Sequence, residues 1–346
     1  MNIYKTILSQ VKADSFLISN IVNIRYLTGF NGTLGYLLLT PKKNYFITDS
    51  RYLEYAEKTV KDVKIYPLKG GIVNVLKSII EKANVRSLAY EYAEVSHVFF
   101  NRVIKRISPG KLLPAKNTIK NLRMIKNESE IKKIEIASKI VLSSVEDIFR
   151  KCKKYHGLSE KDVADEIENL LRRKGATSSG FPLIVAEGSH SSQPHHHSSI
   201  DKKVKFSPLL IDAGAIYEDY NSDLTRTFAN HTISKKFKTI FKIVEEAQER
   251  AFCAIKPGAK ASEIDSAARN FIADAGYGEF FGHGLGHGIG LEVHEKPIIS
   301  AKNDTVLKPG MVFTIEPGIY LPGKFGCRIE DIALVTDSGY KILTRN

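Results

Sequence analysis

The chain has few cysteines. Cys152, Cys253 and Cys327 are scattered over 346 residues with no Cys-x-x-Cys pair. That spacing excludes a disulfide framework and suits a reducing, cytoplasmic compartment. Long apolar runs are missing too: no stretch of about 18 apolar residues is available to span a membrane. The segment Met1 to Gln10 carries a lysine but no apolar run followed by small residues, so no secretory signal is expected. Neither a Walker loop nor Gly-x-Gly-x-x-Gly is present, which removes the usual phosphate-cradling motifs. Acidic residues are scarce in one part only. Residues 1–122 hold 19 Lys+Arg against 8 Asp+Glu, while the remainder holds 32 against 30. The lysines are dispersed and no RNA- or DNA-binding signature accompanies them, so the excess reads as a solvated basic surface and not as a nucleic-acid interface.

A hydrophobic content of 43% provides for ordinary packed cores, and the length suits two domains. Residues 1 to about 120 alternate strands with amphipathic stretches. The strands are Ser15–Ile18, Gly35–Thr40, Asn44–Thr48, Val63–Leu68 and Ser87–Tyr90; the helices lie near Arg51–Lys58, Ile72–Lys82 and Val95–Ile107. This is an α/β domain with a mixed sheet. Asp49 and Arg51 follow a strand and read as a helix cap and first turn. The polar segment Ala115–Asn127 marks a junction, giving domains of 1–122 and 123–346. Beyond it, a helix pair followed by strands occurs twice: helices 128–154 and 159–174, then 235–254 and 261–275. Asn127 and Glu130 have the spacing of a capping box at the first of these helices.

One stretch concentrates potential chemistry. Gly282-His283-Gly284-Leu285-Gly286-His287-Gly288-Ile289-Gly290-Leu291-Glu292-Val293-His294 alternates glycine with other residues at period two, which predicts extended backbone. His283 and His287 would share a face, and His294 would join them only if the chain bends after Leu291. The glycines offer clearance for a ligand or another backbone. Carboxylates then close other apolar runs. Asp212 ends Leu209-Leu210-Ile211, and Asp223 follows eleven residues later. A hairpin turning near Tyr217-Glu218 would set the two side by side, against mutual repulsion unless a cation is shared. Exposed turn positions are the bland alternative. Glu316 ends Met311–Ile315, and Glu330 lies in Cys327–Val335, where it could simply pair with Arg328. Four carboxylates and one imidazole form the donor set of two borderline-hard divalent ions, not of a thiolate zinc site. Such a pair can activate water and polarise a carbonyl.

With these residues assembled, the sequence resembles the M24 metallopeptidases of the pita-bread fold. Within them it looks like the Xaa-Pro peptidases, aminopeptidase P and prolidase. The resemblance covers nearly the whole chain. It implies an α/β creatinase/prolidase-like N-terminal domain and an α+β pita-bread catalytic domain. It further implies Asp212 on one metal, Asp223 and Glu330 bridging, and His287 with Glu316 on the other. His294 matches the catalytic histidine and His283 a supporting one. Arg328 matches the arginine beside the bridging glutamate, and His195 of Pro194-His195 the pocket imidazole. In the run His195-His196-His197, the second and third members read as polar loop residues. Glu316 would carry a proton to the leaving proline nitrogen, which a tertiary amide requires.

The resemblance implies two divalent ions, Mn²⁺ first with Co²⁺ or Zn²⁺ as alternatives, a peptide substrate with proline second, and a homodimer. Many prolidases of this type carry an arginine four residues after the catalytic histidine. Ile298 stands there in this chain, with Lys296 two residues earlier. That departure ranks Xaa-Pro aminopeptidase ahead of dipeptidase. A metal-free pita-bread binding protein is the alternative of another class, and retention of all five ligand positions speaks against it.

Overall fold

The computed structural model describes residues 3–230 and 233–345. The chain forms two compact units, one ending at Arg123 and the other beginning at Met124. In the first, a six-stranded mixed sheet has the order Lys64–Pro67, Tyr45–Thr48, Tyr36–Leu39, Ser15–Ile18, Ser87–Glu91, Lys111–Ala115. The pairings on either side of Tyr36–Leu39 are antiparallel, and the other three are parallel. Its central strands are apolar at successive positions because both faces are covered. Phe16, Ile18, Leu37, Leu39 and Phe46 enter one core, whereas Leu17, Leu38 and Ile47 enter the other.

Three helices of this unit were not anticipated, Ile3–Val11, Ile21–Thr28 and Thr118–Arg123. The second carries standard end signals: the Asn20 side chain accepts from the backbone of Val22 and Asn23, and Gly29 closes it at φ 73°. The strand Lys111–Ala115 was not anticipated either, and only its last residue falls in the segment read as the junction. It lies at the sheet edge, where Pro114 is tolerated because no ladder donor is needed there. Asp49 does not cap the following helix, whose first residue is Leu53. Its carboxylate instead holds the preceding turn, accepting from the Arg51 backbone at 3.0 Å and from its guanidinium at 2.7 Å.

In the second unit the four expected helices run Glu128–Arg150, Glu160–Arg173, Lys235–Ala254 and Ala261–Asp274. Asn127–Glu130 and Ser159–Asp162 both close reciprocal capping boxes. Each helix pair covers its own sheet. The first packs on Leu224–Phe228, Leu209–Ala213 and Ile184–Glu187 through Val141, Ile167, Val185 and Ile211. The second packs on the five-stranded sheet Glu295–Ile299, Gly286–Gly288, Val312–Ile315, Asp331–Val335, Tyr340–Ile342 through Val244, Ile264, Phe313 and Ala333. The opposite faces carry smaller apolar clusters: Val312, Ile332 and Leu334 pack with Ile134 of the first helix, and Ile184, Ala186 and Leu210 with one another.

Candidate metal centre

The Asp212–Asp223 hairpin turns one residue later than the expected Tyr217-Glu218, which shifts its cross-strand pairing by two. Its tip is Glu218-Asp219, with φ of 44° and 71°, and Tyr217 pairs with Tyr220. Asp212 therefore faces Thr225, not Asp223. Because side chains alternate, a slip of two residues preserves the face. Asp223 stays on the side of Thr225, diagonal to Asp212 and still within reach. Thr225 is then a working part of the site. Its hydroxyl donates to Glu330 Oε2 at 2.7 Å and accepts from Arg328 Nε at 2.9 Å.

Arg328 ties this half together. Its Nη2 donates to Asp212 Oδ2 at 2.5 Å and its Nη1 to the Tyr320 hydroxyl at 2.9 Å. It pairs with Asp212 and not with Glu330, so the simple Arg328–Glu330 pair is not formed. Tyr320 in turn meets His283 Nε2 at 3.0 Å. Burial pushes the Tyr320 phenol up to about 12 and the His283 imidazole down to about 4, so both are neutral at pH 7. Sequence reasoning missed Thr225 and Tyr320. Only the hairpin register, which sets Tyr320 against Gly326, reveals the tyrosine.

The glycine-histidine stretch is less regular than its period suggests. Only Gly286–Gly288 is strand, its register breaks after His287, and bends run from Gly290 to Val293 into His294. Those bends bring the His294 ring to 4.2 Å from the His287 ring. The glycines at 286 and 288 clear neighbouring backbone, not metal or substrate. A Cβ at Gly286 would lie 1.9 Å from the Thr314 carbonyl oxygen, and one at Gly288 2.1 Å from that of Lys296. Close strand approach then seats His287: its Nε2 is 3.5 Å from Glu316 Oε1 and 3.7 Å from Asp223 Oδ2. Thr314 steadies both neighbours, accepting from the His287 backbone at 3.1 Å and donating to Glu316 at 3.3 Å.

Ligand atoms of Asp223, His287 and Glu330 all lie within 4.8 Å of one another. Glu316 Oε1 adjoins them at 3.5 Å from His287, and Asp212 is held beside them by Arg328, which also binds Thr225, the partner of Glu330. His195 is exposed, but its charge is felt at Asp212, and the adjoining Pro194 carbonyl accepts from Arg328 at 3.4 Å. His196 is no idle loop residue: its Nε2 stands 2.8 Å from the buried Glu160 carboxylate.

Protein groups alone leave this cluster unbalanced. Burial, then mutual repulsion, raises Asp223 and Glu330 well above the ordinary carboxylate range; burial lifts Glu316 to about 7. Arg328 is the buried cation set against four acids. The buried oxygens Asp212 Oδ1 and Asp223 Oδ1 have no hydrogen-bond partner. Unpaired buried acid oxygens are costly without a cation. The donor set of carboxylates and an uncharged imidazole, His287 being held down near 4 by burial, fits borderline divalent ions.

Comparison with known proteins agrees with this geometry. Residues 4–125 match the creatinase/prolidase N-terminal domain, and residues 132–337 match metallopeptidase family M24. An Xaa-Pro dipeptidase of Pyrococcus horikoshii is 39% identical over 339 residues, 96% of this chain and 93% of that protein. The solved structure of an Xaa-Pro dipeptidase from Bacillus anthracis superimposes with a TM-score of 0.94 at 38% identity, covering 99% of this chain and 96% of the other. That of an X-Pro aminopeptidase from Thermotoga maritima gives 0.89 at 39% identity, covering 99% and 98%. An N-terminal creatinase-type domain followed by a pita-bread catalytic domain, the latter gathering buried acids around His287, identifies the chain as an enzyme belonging to metallopeptidase family M24.

Proposed function

We propose that this metallopeptidase cleaves Xaa-Pro dipeptides. Membership of the family implies divalent metal ions. Asp212, Asp223, His287, Glu316 and Glu330 would hold two of them, Mn²⁺ first and Co²⁺ or Zn²⁺ otherwise. When bound, the ions supply Lewis acidity and lower the pKa of a water. The observation that carries the reading is the set of buried, cation-deficient acids around His287, in a chain whose matched relatives include named Xaa-Pro dipeptidases.

The side chains divide the remaining work. Glu316 Oε1 is fixed by Thr314 and adjoins His287, the place from which to hand a proton to the departing proline nitrogen. His294, exposed beside His287, reaches the carbonyl side of the substrate. Arg328 orients Asp212 and so leaves its other oxygen for metal. Neutral His283 positions Tyr320 and, through it, Arg328. His195 contributes an exposed imidazole to the pocket wall. We also assign a domain junction at 122/123 from the polar segment around it, a cytoplasmic site of action from the scattered cysteines, and a homodimer by the resemblance. Among the described residues no helix is long and apolar enough to cross a membrane.

Aminopeptidase action on longer peptides is the second reading. Ile298 is exposed at the position expected to carry an arginine for the proline carboxylate, and a matched structure is named an X-Pro aminopeptidase. The manganese-loaded enzyme decides between them. A kcat/KM at least tenfold higher for Xaa-Pro than for Xaa-Pro-Yaa supports the dipeptidase; the reverse ratio assigns the aminopeptidase. Hydrolysis of neither removes both.

A further inference from the structure

Outside the cluster around His287, one other group of donors converges among the described residues. Glu160, the first residue of the helix Glu160–Arg173, is completely buried. Two imidazoles from the loop following Ile184–Glu187 aim at its carboxylate. His190 Nδ1 lies 2.9 Å from Oε1 and 3.1 Å from Oε2, and His196 Nε2 lies 2.8 Å from Oε2. The rings themselves are 4.4 Å apart, and the three ligand atoms fall within 4.8 Å of one another. None of these residues belongs to the four acids and one imidazole of the main cluster.

We propose that Glu160, His190 and His196 form a further metal site, taking a borderline divalent ion of the Zn²⁺ class. One carboxylate oxygen and two imidazole nitrogens are the donor set that zinc, cobalt and nickel prefer. Two ligands held at about 2.0–2.2 Å from one ion and 90–110° apart stand roughly 3.0–3.4 Å from each other. The nitrogen–oxygen spacings here approach that range, so an ion enters with displacements of a few tenths of an ångström. The carboxylate is oriented for the purpose. The Glu187 backbone donates to Oε1 at 2.7 Å and the Ser199 backbone to Oε2 at 2.9 Å, fixing its plane as hydrogen-bonded second partners do for metal ligands. His196 is nearly buried, whereas the His190 side chain is 29% exposed, which leaves a path for the ion and for a solvent ligand. Because His196 adjoins His195, an ion here would pin the loop bearing the pocket imidazole to the start of a helix. The site is then a brace for the pocket wall and not a second reaction centre.

Metal counting tests this directly. The metal-free full-length protein is saturated with Zn²⁺, freed of excess, and its bound zinc measured by mass spectrometry. Wild type should retain one ion per chain more than the double variant His190→Ala/His196→Ala, and His197→Ala should match wild type. Equal zinc in wild type and the double variant overturns the proposal: the two imidazoles would then only donate hydrogen bonds to Glu160. Loss of the ion in His197→Ala overturns it as well, by assigning the ion to the surface histidine run. Should the double variant not fold, the single variants H190N and H196N must each weaken that zinc by at least tenfold. In wild-type crystals, anomalous scattering at the zinc edge should peak between the three side chains; a peak only at the His287 cluster refutes the site. The difference between variants is read independently of peptidase activity, so failure of the dipeptidase assignment does not affect it.

Discussion

Replacing Arg328 with methionine should unbalance the candidate centre more than any other single change to a residue that holds no metal. The guanidinium is 5% exposed and its partner Asp212 is 13% exposed, so solvent cannot compensate the loss. Methionine fills most of the aliphatic stem, leaving a small cavity and an unpaired Asp212, with hydrogen bonds to Thr225 and Tyr320 also gone. Breaking a buried pair from one side costs about 3–5 kcal/mol. In a domain of 150–250 residues each kcal/mol moves Tm by about 2–4 °C, so the melting point should fall by roughly 6–20 °C. Protonation of Asp212 limits the loss. Burial already raises its pKa despite Arg328, and removing the cation raises it further. A carboxylate whose folded pKa exceeds its unfolded value loses stability as pH climbs from the unfolded to the folded value. The deficit should therefore be smaller at pH 5 than at pH 8. Thermal unfolding of the metal-free proteins, followed by circular dichroism at both pH values, measures it. In an Asp212→Asn background Arg328→Met should cost markedly less, because the orphaned charge is absent. A drop below about 2 °C, or an equal drop in both backgrounds, would refute the claim that this pair balances the site.

Two further outcomes follow from the same geometry. Gly288→Ala forces a Cβ to within 2.1 Å of the Lys296 carbonyl, which must move. Overpacking of this kind costs about 1–3 kcal/mol or more, and it should weaken Mn²⁺ binding at least tenfold because His287 is the adjoining residue; unchanged affinity by calorimetry contradicts it. Metal-free protein should lose stability as pH rises from about 4 through 7, since Asp223, Glu330 and Glu316 all have folded values above their ordinary ones and outnumber His283 and His287, which are held down to about 4 and oppose the trend. For Glu316, raised to about 7, this amounts to about 3 kcal/mol at alkaline pH. Urea midpoints that rise with pH in the metal-free protein would reverse the sign and defeat the argument.

Much of the molecule was legible because its signals are local. The capping box Asn127–Glu130, the four long helices of the second unit and the apolar strands ending in Asp212 and Glu316 announce themselves by period and by end residues. The bend that brings His294 to His287 was legible only as a condition, since parity opposed it. Register was harder. The hairpin tip sits at Glu218-Asp219 because both residues adopt positive φ, and nothing in a tally of apolar positions distinguishes that from a tip one residue earlier. The acids nonetheless kept a common face, because the slip in pairing was an even number of residues. Thr225, Thr314 and Tyr320 escaped notice for a different reason. Their importance lies in what their hydroxyls touch across the fold, and a hydroxyl carries no periodic signature.

The histidine run shows where sequence context misleads. A row of three imidazoles in a polar loop suggests interchangeable surface residues, yet the three have different surroundings. His195 bears on Asp212, His196 is held against Glu160, and His197 is exposed. What separates them is a carboxylate 36 residues earlier in the chain, buried at a helix start whose own capping box involves Ser159 and Asp162 and leaves Glu160 unassigned. An acid in the first turn of a helix is expected on dipole grounds alone, so the sequence offered a sufficient reason for Glu160 that concealed the structural one. The same reasoning applies to substrate length. Exposed Ile298 argues from one missing arginine, while the whole-chain likeness extends to Xaa-Pro dipeptidases and to an X-Pro aminopeptidase alike. A cation for a proline carboxylate need only arrive in space, from any loop, and so its absence at one position does not exclude the dipeptidase.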